Sequence, residues 1–130
     1  MDDNVSEPKR ILLAEDDAAT RELYEEILTN AGFVVNAVSD GEEALNAARE
    51  KKYDLILLDM MMPKVNGLSF LIELKKLPLY QSDPEPVVLF TNLMHDPVIA
   101  EALRLGAKTY LIKSELSPSQ LVDRIHYFLG

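Results

Sequence analysis

Five apolar runs, each too short to make a helix, recur along this 130-residue chain. They are Ile11-Leu12-Leu13-Ala14, Phe33-Val34-Val35, Leu55-Ile56-Leu57-Leu58, Val87-Val88-Leu89-Phe90 and Tyr110-Leu111-Ile112. The first and third are expected as buried strands, the first on both faces, and the others as strands beside them. Between them apolar residues return at helical spacing. Leu23, Tyr24, Ile27, Leu28 and Ala31 form one such set, closed by Gly32. Ala44, Leu45 and Ala48 follow a cap at Ser39 or Asp40. Leu68, Leu71 and Ile72, with Leu74 nearby, make a third. Ile99, Ala102 and Leu103 lie between Asp96-Pro97 and Gly106, and Leu121, Val122, Ile125, Phe128 and Leu129 follow Ser117-Pro118. Five alternating strand–helix units predict an α/β fold, a parallel sheet covered by helices on both faces.

The length suits one domain. Residues 1–8, polar and ending in Pro8, read as a flexible tail, and residues 9–130 as the domain. Residues 60–66 are a loop containing Pro63, and residues 77–86 a polar connection with Pro78, Pro84 and Pro86. The chain has no Cys, which removes disulfides and thiolate metal sites. No apolar run approaches a membrane span. The start, Met1-Asp2-Asp3-Asn4, is the opposite of a secretory signal, so the expected location is cytoplasmic, with no membrane partner. A net charge of −9 speaks against direct nucleic-acid binding and fits an acidic, metal-binding pocket.

In sheets of this kind ligands bind beyond the carboxyl ends of the strands. The residues at those ends are Glu15, Asp16 and Asp17 after the first strand, Asp59 after the third, Thr91 after the fourth and Lys113 after the fifth. Several carboxylates in one crevice repel one another, and a hard cation such as Mg²⁺ relieves that repulsion. A carboxylate is also a nucleophile that forms an aspartyl phosphate. Phosphoryl transfer needs positive charge around the equatorial oxygens, and a lysine with Mg²⁺ supplies it. Acids, a central Asp, a hydroxyl and an ammonium therefore make up a phosphoryl-accepting site.

Taken in order, the segments Ile11-Leu12-Leu13-Ala14-Glu15-Asp16-Asp17, Leu55-Ile56-Leu57-Leu58-Asp59-Met60-Met61-Met62-Pro63, Asn66-Gly67, Leu89-Phe90-Thr91-Asn92 and Tyr110-Leu111-Ile112-Lys113 resemble a response-regulator receiver domain over residues 9–130. The resemblance implies a flavodoxin-like, doubly wound (βα)5 fold with five parallel strands in the order 2-1-3-4-5. It implies Asp59 as phosphoacceptor. The implied Mg²⁺ ligands are Asp16, Asp59 and the backbone carbonyl of Met61, with Glu15 acting through water. Thr91 and Lys113 would contact the phosphoryl group, and Thr91 and Tyr110 would form the switch. The implied donor is a sensor histidine kinase or a phosphotransfer protein, and the output an unidentified downstream protein. Because the chain ends with the fifth helix, it is expected to act as a single-domain regulator. One departure stands out: the family usually has proline after the lysine, in a cis bond. Here Ser114 follows Lys113, and a non-proline cis bond costs about 2.5–4 kcal/mol, so a trans peptide is expected.

Other readings attach to the same residues. Asp17 is expected to cap a helix or face solvent, and His95 and His126 to lie on the surface. Met60, Met61 and Met62 read as packing and loop residues, and Gly67 as a tight helix entry. A haloacid-dehalogenase-like phosphatase also uses a strand-end Asp, but needs a second acid two residues later, where this chain has Met61. A receiver-like interaction module that never becomes phosphorylated is the remaining alternative. Such modules usually lose an acid, the Asp or the lysine, and all are present here.

Overall fold

The computed structural model describes residues 7–81, 86–93 and 96–130. Most of the sequence-predicted tail, residues 82–85 of the connection, and His95 lie outside them. The elements alternate as expected: β1 (Arg10–Ala14), α1 (Ala18–Asn30), β2 (Val34–Val38), α2 (Gly41–Glu50), β3 (Leu55–Leu58), α3 (Gly67–Leu74), β4 (Val87–Thr91), α4 (Pro97–Arg104), β5 (Thr109–Ile112) and α5 (Pro118–Leu129). The strands form one parallel sheet in the order β2-β1-β3-β4-β5. The chain thus winds outward from β1 in one direction and then, from β3, in the other. The crevice of such a sheet opens between β1 and β3, at the reversal.

Both faces of the central strands are buried, so successive residues feed opposite layers. Leu12, Ala14, Ile56, Leu58 and Leu89 share one core with Ala44, Leu45, Phe70, Leu71, Leu74, Ile99 and Ala102 of α2, α3 and α4. Ile11, Leu13, Leu55, Leu57, Val88, Phe90 and Leu111 share the other with Leu28 of α1 and Leu121 and Ile125 of α5. On α3 the sequence pattern placed Leu71 and Leu74 but missed Phe70. Phe70, Leu71 and Leu74 are buried there, while Ile72 is exposed.

Helix starts are set by side chains that accept backbone N–H bonds the helix cannot otherwise satisfy. Asp17, Asp40, Asn66, Asp96 and Ser117 do this for α1 to α5 in turn. Gly32 (φ +100°) and Gly106 (φ +119°) follow the ends of α1 and α4 in the left-handed region, where a Cβ is penalised. The connection 77–86 is not merely polar. Pro78–Tyr80 form a short 3₁₀ turn that buries Tyr80.

Candidate phosphoryl-accepting site

The polar residues begin where the two central strands stop. Glu15 N–H still donates to Val38 carbonyl at 3.0 Å, and Asp59 N–H to Ala14 carbonyl at 3.1 Å. Both acids are therefore pinned by an extension of the sheet ladder before their side chains enter the crevice. Asp16 turns outward and is exposed, while Glu15 and Asp59 are buried. One carboxylate oxygen from each of the three lies within 4.8 Å of the others. Asp17 is turned away from this group. Its carboxylate accepts from Thr20 N–H at 2.9 Å and caps α1, as expected from the sequence.

Lys113 reaches across from the end of β5. Its Nζ lies 3.0 Å from Asp59 Oδ2 and also pairs with Glu15 Oε1. The other Asp59 oxygen, Oδ1, accepts from Met61 N–H at 3.0 Å. The other Glu15 oxygen accepts from Asp17 N–H, also at 3.0 Å. Both buried carboxylates are thus fixed on both oxygens. Burial pushes the Glu15 carboxyl above its ordinary range, more than Lys113 lowers it. For Lys113 burial favours the neutral amine, but Glu15 and Asp59 together outweigh it and raise its pKa, so the ammonium persists.

Thr91 is the last residue of β4, next to the strand that Asp59 follows, and is 2% exposed. Its Oγ1 accepts from Leu93 N–H at 3.1 Å, which leaves the hydroxyl proton to donate elsewhere. Tyr110 stands apart on the outer strand β5, with 45% exposure. It lines a depression of about 380 Å³ with Asp96, Pro97, Ile99, Ala100 and Leu103 of α4 and its cap. Met60 and Met62 pack inward, whereas Met61 is exposed beside a cavity that Asp16 also lines. His126 is exposed, with its ring against Phe33.

Two positioning features escaped the sequence reading. Arg21, one turn into α1, donates from Nη1 to the carbonyls of Glu15 at 3.0 Å and Asp16 at 3.3 Å, and so fixes the acidic turn. Gly41 lies against the loop that follows Asp59; a Cβ there would fall 1.7 Å from Val65 carbonyl oxygen. The same loop turns at Lys64 (φ 68°), whose Nζ lies 3.5 Å from Asp40. Gly67 serves the tight entry anticipated for it, since a Cβ would meet Met60 Sδ at 2.7 Å.

The donor set of Glu15, Asp16 and Asp59 is all carboxylate oxygen, the hard ligand type that Mg²⁺ takes. Among the described residues the three acids face the Lys113 ammonium and the Arg21 guanidinium on the turn's carbonyls, so the site still keeps an excess of negative charge for a cation to neutralise.

The profile of the response regulator receiver domain matches residues 11–126. The probable transcriptional regulator ycf27 of Guillardia theta is 34% identical over 129 residues, covering 99% of this chain and 48% of the relative. The chemotaxis protein CheY of Thermotoga maritima is 30% identical over 120 residues, covering 91% of this chain and 95% of the relative. The chain therefore spans about half the length of the first and nearly all of the second. Among solved structures, the receiver domain of a sensor histidine kinase from Pseudomonas aeruginosa holds a magnesium ion in its active site cleft. It superposes with a TM-score of 0.84 at 26% identity, over 95% of this chain and 98% of that one.

Proposed function

We propose a function that proceeds from membership: the chain belongs to the response regulator receiver domain family, a signalling family of two-component systems. Residues 9–130 form the receiver, and Asp59 accepts a phosphoryl group from the phosphohistidine of a sensor histidine kinase or phosphotransfer protein. The observation that carries this reading is the Lys113 ammonium, 3.0 Å from Asp59 Oδ2 and paired with Glu15. In such a site an Asp59 oxygen attacks phosphorus, the P–N bond breaks, and its electron pair stays on the imidazole, which picks up a proton. Lys113 then follows the charge as it moves from the carboxylate to the phosphoryl oxygens. Asp16, Asp59 and the Met61 carbonyl would hold Mg²⁺, with Glu15 through water. When bound, the ion neutralises charge on the equatorial oxygens.

Thr91 donates its hydroxyl proton to the phosphoryl group once it arrives. The added charge, about −1.5 to −2, biases the β4–α4 loop toward it. Tyr110, beside the depression on α4, fills the space that Thr91 vacates. The surface at residues 96–105 and Tyr110 is then where a downstream protein reads the state.

Acetyl phosphate with Mg²⁺ tests the core of this reading. Intact mass should show one phosphoryl group on the wild type and none on Asp59→Asn. Uptake by Asp59→Asn at the wild-type rate would remove Asp59 from the role.

A further inference from the structure

The two loops that follow Thr91 and Lys113 are joined by a side chain. The ladder between β4 and β5 ends at Thr91 opposite Ile112. One residue further, Asn92 Oδ1 accepts from Ser114 N–H at 2.8 Å, across 22 residues of sequence. The Asn92 amide therefore stands in for a backbone carbonyl and carries the pairing one step past the strands. Ser114 lies within the 3₁₀ turn Lys113–Glu115, so the bond fixes the backbone just after Lys113. Asn92 is flanked by Thr91 and Leu93, which hydrogen-bond each other through Thr91 Oγ1 and Leu93 N–H.

We propose that Asn92 is a positioning residue: by holding Ser114 N–H it sets the spacing of the loops that carry Thr91 and Lys113, and so keeps Lys113 on Asp59. The proposal rests on the reading of Asp59 and Lys113 given above. A long, four-carbon ammonium arm reaches a fixed point only when its own backbone is fixed. Lys113 must satisfy two buried carboxylates at once. Without the Asn92 bond the turn is held only at its two ends, by β5 before it and by Leu116 packed on the core after it, and Lys113 samples positions away from Asp59.

The test is a double-mutant cycle of Asn92→Ala and a backbone ester in place of the Lys113–Ser114 amide, since either change deletes the same bond, one by removing the acceptor and the other the donor, without the cis preference a proline would bring. Two rates are read on all four proteins. One is acylation of Lys113 by an amine-reactive ester without phosphate, located by peptide mapping. The other is phosphorylation by acetyl phosphate with Mg²⁺. Asn92→Ala should speed the first and slow the second, each by about threefold, within the range one net hydrogen bond supplies. In the ester background it should change neither. Equal effects of Asn92→Ala in both backgrounds, or none in either, would overturn the proposal. A wild type that takes no phosphate would instead defeat the Asp59 reading, and the acylation rates would still decide whether Asn92 holds Lys113.

Discussion

Beside the entry to β3, at the amino end of the sheet, the buried Tyr80 hydroxyl accepts from Tyr53 N–H at 2.9 Å and donates to Lys51 carbonyl at 2.9 Å. Asn36 Nδ2 donates to Tyr53 hydroxyl at 2.8 Å, and Arg10 N–H to Asp54 Oδ2 at 2.8 Å. These groups satisfy one another. At the carboxyl end of the same strands, Glu15, Asp16 and Asp59 converge with Lys113 as their nearby cation. Pairing there is incomplete by charge, although each buried oxygen has a hydrogen bond. One end spends its polar groups on stability, and the other holds charge that favours binding a cation. Substitutions at the two ends should therefore separate: stability lost without chemistry at the first, chemistry lost without stability at the second.

Tyr80→Phe is the strongest attempt to break that separation. It leaves Lys51 carbonyl and Tyr53 N–H without their partner, at a cost of about 1–3 kcal/mol. The urea midpoint should fall, and the rate of phosphorylation by acetyl phosphate should stay at the wild-type value. A rate that falls along with the midpoint would mean that the two ends are coupled. A pH signature accompanies it. Burial raises the Tyr80 hydroxyl above its ordinary value of 10.0. The unfolded chain then loses this proton before the folded chain does. The stabilisation is complete below pH 10.0, and is lost as pH rises from there through the folded pKa. Tyr80→Phe should flatten this alkaline limb of the stability curve.

Asp16→Ala probes the opposite end. It removes an exposed proposed ligand, and Mg²⁺ affinity by calorimetric titration should fall roughly tenfold or more. It also removes one of the mutually repelling charges, so the melting temperature without Mg²⁺ should rise at low salt. The gain should vanish near 1 M salt, where the screening length is about 3 Å. Unchanged affinity, or a lower melting temperature at every salt concentration, would break the comparison.

The fold was legible because each strand is built on a short apolar run, and the helices between them carry local stop and start signals such as Asp96-Pro97 and Ser117-Pro118. The candidate site was legible for a related reason: in a parallel sheet a strand end is also a crevice position, so locating Leu58 places Asp59 with Glu15 and Asp16. What stayed hidden depends on distant approach. Tyr80 sits in a segment that looks like linker, and its partners are 27 and 29 residues away. Gly41 is demanded by Val65, which no local pattern announces. Phe70 and Ile72 are two residues apart on a short helix, and only the packed neighbours decide which turns inward.

The smallest effect belongs to the lifetime of the phosphorylated form, and it sharpens the comparison within the charged end alone. Hydrolysis of an aspartyl phosphate needs a water oriented toward phosphorus. Met61 follows Asp59 by two residues, hydrogen-bonds it through its N–H, and exposes its side chain beside Asp16. Leu93 is held to Thr91 through its own N–H. Thioether and isobutyl groups at these two positions give a water little to bond to, so the phosphoryl group should persist. Met61→Asn or Leu93→Glu supplies one hydrogen-bonding group. That is worth about 0.5–1.5 kcal/mol, so dephosphorylation should speed up about two- to tenfold. Met61 is exposed, so Met61→Asn should leave the urea midpoint where it is, whereas Leu93 packs against the core that holds Tyr80, so Leu93→Glu should lower it. Equal or slower loss of phosphate in both variants would show that water is oriented by other groups, with Asp16 and Glu15 as the first to examine.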